Sequence, residues 1–243
     1  MSFIPGWFPG ALSRKPITIA RLGSNTSFEN PGVSGHSWSG AIAAKDYPRL
    51  VVVCFTARRN GTDDTSTSFS SCSIAGVSAT LLGQCELRDA TSNPRTGTCC
   101  MVSASLAANV SGNLNASFSP NVNHVIYHAF EVTGSSGAPV MTISSGRSQT
   151  QNLSQDVTSG AAIIGISATT STSASATAST WTGLPADNEI ETQFQGSEGN
   201  NRCTLSTNWD VEFPPESPKT LSVTVNNYPN AVAHRALTAQ FRL

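Results

Sequence analysis

Charge is what this chain has least of. Only 12% of its 243 residues are Asp, Glu, Lys or Arg, about half the share of an ordinary soluble domain. The net charge is −1. No basic field is present to hold a phosphate backbone, so a nucleic acid partner is excluded. Too few Glu and Lys exist to lace long helices with i,i+4 pairs. Long apolar runs are missing as well. None approaches the ~18 residues of a membrane-spanning helix, so no membrane partner is expected. The start, Met1 to Gly10, lacks the basic opening and unbroken apolar stretch of a secretory signal. The expectation is a chain made in the cytoplasm without a signal peptide.

Metal-binding patterns are also absent. The six cysteines, Cys54, Cys72, Cys85, Cys99, Cys100 and Cys203, show no C-x-x-C and no Cys/His ligand spacing, so neither a metal nor a cofactor is expected. Cys99 and Cys100 are adjacent, and side chains alternate along a strand, so the two cannot share a face there. Two states stay open for these thiols: free and buried, or disulfide-bonded after release from the cell.

Ser, Thr and Asn are abundant, at 78 residues, and 38% of the chain is hydrophobic. The apolar residues fall in short, β-branched runs separated by Gly, Asn, Ser and Pro, which reads as strands and turns. Arg49–Ala57 (RLVVVCFTA) and Gly160–Ala168 (GAAIIGISA) read as buried central strands. Ile74–Gly83, Thr98–Leu106, Leu114–Ser119, Val122–Val132, Thr220–Val225 and Ala231–Leu243 read as further strands, with one more over Ile17–Leu22. Helix signals are confined to single turns at Ala43–Asp46 and Ser105–Val110.

Residues 50–132 and 161–243 echo each other. Each gives a buried strand, a Ser/Thr loop, a strand reaching Leu-Gly83 or Gly183-Leu, a Cys-led strand, an alternating strand, and a strand holding His124 or His234. Self-similarity of this kind points to duplication, although any β-rich chain with regular spacing looks alike. Four strands per copy predict about eight core strands. The expected fold is therefore all-β: an antiparallel, jelly-roll-like sandwich over residues 17–243, with the polar faces wet. Residues 1–16 read as an extended N-terminal arm.

Catalytic patterns are weak. His124 and His128 would share a strand face about 13 Å apart, too far to bind one metal. No G-x-S-x-G elbow exists, and His36 lies in a Gly/Ser stretch. Asp63 and Asp64 lack the alternating ligands of a calcium loop. Glu189 and Glu191 would lie about 7 Å apart on one face, a spacing found in glycosidases, with Glu198 nearby, yet an exposed polar strand explains them as well. Trp38, Trp181, Trp209 and Tyr228 are available to stack on sugars but form no legible platform. No catalytic residue is assigned.

The arm is the most suggestive segment. Phe3, Ile4, Trp7, Phe8 and Leu12 are spaced by Pro5, Gly6, Pro9 and Gly10. Pro and Gly forbid a regular helix, and a stiff extended segment loses less entropy on docking. Trp and Phe dominate binding in pockets. The segment reads as an anchor for a partner subunit, or as a strap over its own sandwich.

Taken together, the FIPGWFPG start, RLVVVCFTARRNG, IAGVSATLLGQ, VIYHAFEVTGSSG, AAIIGISATTS and the closing ALTAQFRL resemble small virion proteins of tailed bacteriophages and gene transfer agents. The family in question comprises the head decoration, head spike and collar subunits. The likeness spans residues 48–243 as a pattern and not as a signature motif. It implies a non-enzymatic structural protein on the capsid or neck, located in the virion, homo-oligomeric, and bound to other virion proteins through the arm. It implies no catalytic residues. Six cysteines depart from the usual cytosol-assembled virion protein, and would fit disulfides that stiffen the particle after lysis. Two other readings are a receptor- or glycan-binding module of a tail fibre, using loops such as Asn60–Ser71 and Thr170–Thr180, and a β-sandwich hydrolase. A secreted adhesin is weakened by the missing signal.

Overall fold

In a computed structural model the protein is described over residues 15–59, 65–88, 96–145, 148–171, 178–195, 202–226 and 232–243. The arm residues Phe3, Ile4, Trp7, Phe8 and Leu12, together with Asp63, Asp64, Glu198 and Tyr228, lie outside the described residues. The described chain is antiparallel β throughout, with one 3-10 turn at Ala186–Asn188.

Fifteen strands form: β1 (Thr18–Ile42), β2 (Arg49–Arg58), β3 (Ser68–Ile74), β4 (Val77–Ser78), β5 (Thr80–Arg88), β6 (Thr96–Leu106), β7 (Gly112–Thr133), β8 (Ser136–Ile143), β9 (Thr150–Val157), β10 (Ala161–Ser171), β11 (Ser179–Thr182), β12 (Ile190–Gln195), β13 (Arg202–Phe213), β14 (Glu216–Val225) and β15 (Val232–Arg242). Two of them serve two layers. β1 and β7 pair along their whole lengths, with a shift of register between Phe28 and Val33. Close to that shift are Pro31 and Pro120, residues with no N–H to give to a ladder.

The sheets stack in four layers. The two inner layers are β5-β6-β2-β7-β1, using the parts of β7 and β1 at 124–133 and 18–28, and β12-β13-β10-β15-β8. Val52, Cys54, Met101, Ile126 and Phe130 of the first meet Ile164, Ile166, Leu205, Leu237 and Phe241 of the second. The outer layers are β3-β7-β1, using residues 114–119 and 33–42, and β11-β14-β9. The first outer layer closes over Val51, Val53, Phe55 and Val102. Trp38 meets Phe55 and Tyr127, and Phe55 meets Phe118, across that gap. The second closes over Ala161, Ile163 and Ala236 with Leu153, Trp181, Leu221 and Val223.

This stacking explains the two apolar runs. β2 and β10 sit in mid-sheet in the inner layers and are covered on both faces, so neither alternates. It also yields a regularity in connectivity. With the two-residue β4 set aside, each half of the chain supplies eight strand segments, and in both halves the inner layer runs fifth-sixth-third-eighth-first and the outer layer fourth-seventh-second.

The strand directions define two ends. At one, Thr18 pairs with Thr133, and Arg49 with Leu106. The chain enters there past Pro16, whose carbonyl crosses Gly134. A Cβ on Gly134 would lie 2.5 Å from that oxygen, and its φ is +78°, so only glycine suits the crossing. The far end is marked by Phe28, Arg58, His124 and Thr170. The connections after β2, β5, β8, β10, β12 and β14 all leave from the far end.

Candidate functional site

Each carboxylate, histidine and thiol singled out from the sequence has a definite place where described. Glu189 and Glu191 do come together at the edge of the second inner sheet. Burial, and then the charge of Glu191, hold the Glu189 carboxyl above its ordinary range, against the pull of the Ser206 hydroxyl. Ser206 donates to Glu189 at 2.9 Å and itself accepts the indole N–H of Trp181 at 2.9 Å. Glu191 accepts the Ser179 backbone N–H at 2.7 Å and the Gln193 amide at 2.6 Å. The two acids thus tie β12 and β13 to β11, the outer layer. Glu189 Oε1 and both oxygens of Glu191 thus accept from the fold's own donors.

His124 and His128 share a face of β7, directed at the second half. His124 stacks on Phe28 at 4.7 Å and meets Phe194 at 4.5 Å with the rings tilted by 50°, while Phe28 and Phe194 lie 5.6 Å apart. His128 bridges the halves, with Nδ1 2.8 Å from the Thr207 hydroxyl and Nε2 2.8 Å from that of Thr192. Burial pushes both imidazoles down to about 3, helped by Arg58 for His124 and by Arg21 for His128. His36 is buried 3.1 Å from the Ser27 hydroxyl.

A serine–histidine pair, invisible in sequence order, lies in the second half. The Ser167 hydroxyl is 2.9 Å from Nε2 of His234, and Nδ1 of His234 is 3.0 Å from the Ser148 carbonyl. That carbonyl requires a proton on Nδ1, which leaves Nε2 to accept from Ser167. The arrangement has the parts of a base-activated nucleophile. However, Ser167 is 1% exposed and His234 0%, so no acyl group can reach the hydroxyl. Burial lowers His234 to about 4. The pair satisfies polar groups inside the sandwich.

The cysteines carry free thiols and divide between two cores. Cys54, Cys85, Cys99 and Cys203 face the seam between the halves, whereas Cys72 and Cys100 face the core of the first half. Burial pushes the Cys72 thiol up to about 12 and Cys203 to about 11. Cys85 and Cys99 are register partners on β5 and β6, with sulfurs 2.9 Å apart.

Three concavities adjoin the entry of the chain. A cavity of 480 Å³ is lined by Lys15, Thr18, Tyr47, Glu131 and Gly134. One of 450 Å³ is shared by Lys15, Gly134, Ser136 and Leu243. A third, of 520 Å³, lies between Pro16, Phe213, Pro215 and Leu243. Inside this end Glu131 accepts the Tyr47 hydroxyl at 2.7 Å and faces Arg49 at 3.6 Å, and the buried Arg49 also donates to the Ala43 carbonyl at 2.5 Å. Nothing in the sequence order brings Lys15, Tyr47, Gly134, Phe213 and Leu243 together, so this region was not legible beforehand. No family model, curated protein or solved structure matches the chain.

Proposed function

We propose that this is a non-enzymatic assembly protein, tethered at one end through its N-terminal segment and presenting loops at the other. The observation that carries the reading is the polarity of the fold. Residues 1–14 join the body at Lys15, beside three cavities, two of which reach Leu243 at the seam between the halves. The six connections after β2, β5, β8, β10, β12 and β14 leave from the opposite end. Phe3, Ile4, Trp7, Phe8 and Leu12 would supply the apolar contacts to a partner subunit. Low charge suits a surface packed among many copies of itself, since like-charge repulsion is small. With the resemblance of residues 48–243, these features favour a capsid- or neck-decorating subunit of a phage virion, homo-oligomeric and bound to other virion proteins.

The matching strand orders support a duplication of one eight-segment unit, each copy a jelly roll with a five-strand and a three-strand sheet. On this reading the repeat is longer than residues 50–132 and 161–243. It starts with β1 in the first copy and with β8 in the second.

Deleting residues 1–12 tests the tether. Light scattering and particle incorporation should show lost assembly, with melting unchanged. A truncated protein that assembles like the full chain would overturn it. A second reading, glycan binding by the far end, is favoured by Phe28, which is 36% exposed and stacked on His124. A glycan-array signal abolished by Phe28→Ala would move the assignment there.

A further inference from the structure

We propose that Cys85 and Cys99 are a dithiol site that a low-molecular-weight disulfide oxidises to a cross-strand bond. The two residues are direct partners on β5 and β6, and their sulfurs lie 2.9 Å apart. Bond formation needs the sulfurs to close to about 2.05 Å. Directly opposed strand residues hold their Cβ atoms about 4.5–5.5 Å apart, which leaves only a small approach to the Cβ spacing of a disulfide.

The other four thiols lack this arrangement. Cys54, Cys72, Cys100 and Cys203 are buried, so a reagent in water does not reach them. Cys72 and Cys100 face the same core but are not register partners, since Cys72 pairs with Ala116 and Cys100 with Phe55 and Gln84. Cys85 is partly exposed on the edge strand and provides the entry. Behind it, Arg235 donates to the Glu86 carbonyl at 3.2 Å. Burial, and then Cys85, hold the Cys99 thiol well above its ordinary range, and the Arg235 charge offsets only part of that.

The reaction balances with oxidised glutathione as the oxidant. The Cys85 thiolate attacks one glutathione sulfur, the S–S bond breaks, and one glutathione thiolate leaves and takes up a proton. The Cys99 sulfur attacks the Cys85 sulfur of the mixed disulfide, the bond to the second glutathione breaks, and the Cys99 proton passes to that departing thiolate. Two protein thiols are oxidised and one glutathione disulfide becomes two thiols. The product pins β5 to β6 within one sheet, beside the contact of β5 with β8 and β15 of the other half.

The experiment incubates the full-length protein with oxidised glutathione, quenches it with an alkylating reagent and digests it without reductant. The expected result is a parent mass lower by two hydrogens and a linked peptide pair whose fragments place the bond between Cys85 and Cys99. Cys99→Ser should instead accumulate a stable glutathione adduct on Cys85, and Cys85→Ser should yield no linked pair. A bond assigned to Cys72 and Cys100, an adduct on wild-type Cys85 with no linked pair, or unchanged thiols would each overturn the proposal.

Discussion

Acid should weaken this fold before its ordinary carboxylates titrate, because its histidines are buried neutral. His124 and His128 are held at about 3 and His234 at about 4, in each case chiefly by burial. An unfolded histidine titrates near 6.5. The folded values are depressed, so the unfolded chain binds more protons as pH falls. The stability they support is complete above 6.5 and is lost as pH falls from 6.5 toward the folded values. Between pH 7.5 and 5.0 each of the three costs about 2 kcal/mol, about 6 kcal/mol together, by proton linkage. That is a large part of the ~5–15 kcal/mol of a typical domain. His36, also lowered by burial, acts in the same direction. Glu189, raised by burial and by Glu191, acts in the opposite sense and offsets part of the loss. The cost at His128 is one of burying charge, since both hydroxyls facing it can accept from an imidazolium. Urea unfolding at pH 7.5 and 5.0 measures the difference, and His128→Gln should reduce it by about 2 kcal/mol. Equal unfolding free energies at the two pH values, or native imidazoles titrating near 6.5 by NMR, would refute the reasoning.

Two further outcomes follow from the second half. In Gly165→Ala the new methyl carbon would lie 2.7 Å from the Trp181 ring, which is fixed by its bond to Ser206. Overpacking of this kind costs about 1–3 kcal/mol, to be read from urea midpoints. In Glu191→Gln the Ser179 N–H keeps an acceptor while the charge beside Glu189 disappears. The Glu189 carboxyl should then titrate lower by NMR, and an unchanged value would show that burial alone sets it.

The strands easiest to foresee were those whose burial is written in apolar residues. VVVCF of β2 and AAIIGI of β10 occupy the inner layers as continuous runs must. β9 carries a weak sequence signal because two of its four inward positions are Gln151 and Gln155, which satisfy buried groups by hydrogen bonding. β1 was foreseen only over Ile17–Leu22, yet it runs to Ile42 through Gly, Asn, Pro and Ser. Its ladder with β7 overrides those local preferences, a case of tertiary pairing outweighing propensity. The sequence pattern divides Leu114–Ser119 from Val122–Val132, but both belong to the single strand β7 and serve different layers. The candidate site was less legible. Ser167 with His234, and Trp181 with Ser206 and Glu189, meet only when distant strands are laid side by side.

The length of β1 has a mechanical consequence. A pull on Lys15 directed away from the far end runs along the inner-layer part of β1, whose ten register pairs with β7 over Thr18–Phe28 lie across the line of force. Such a pull loads the ladder in shear, so its bonds share the load instead of parting one at a time from an end. A load that peeled β8 sideways from β15 would meet five register pairs in succession. The molecule should therefore be strong when drawn along its axis and weak when its edge is lifted.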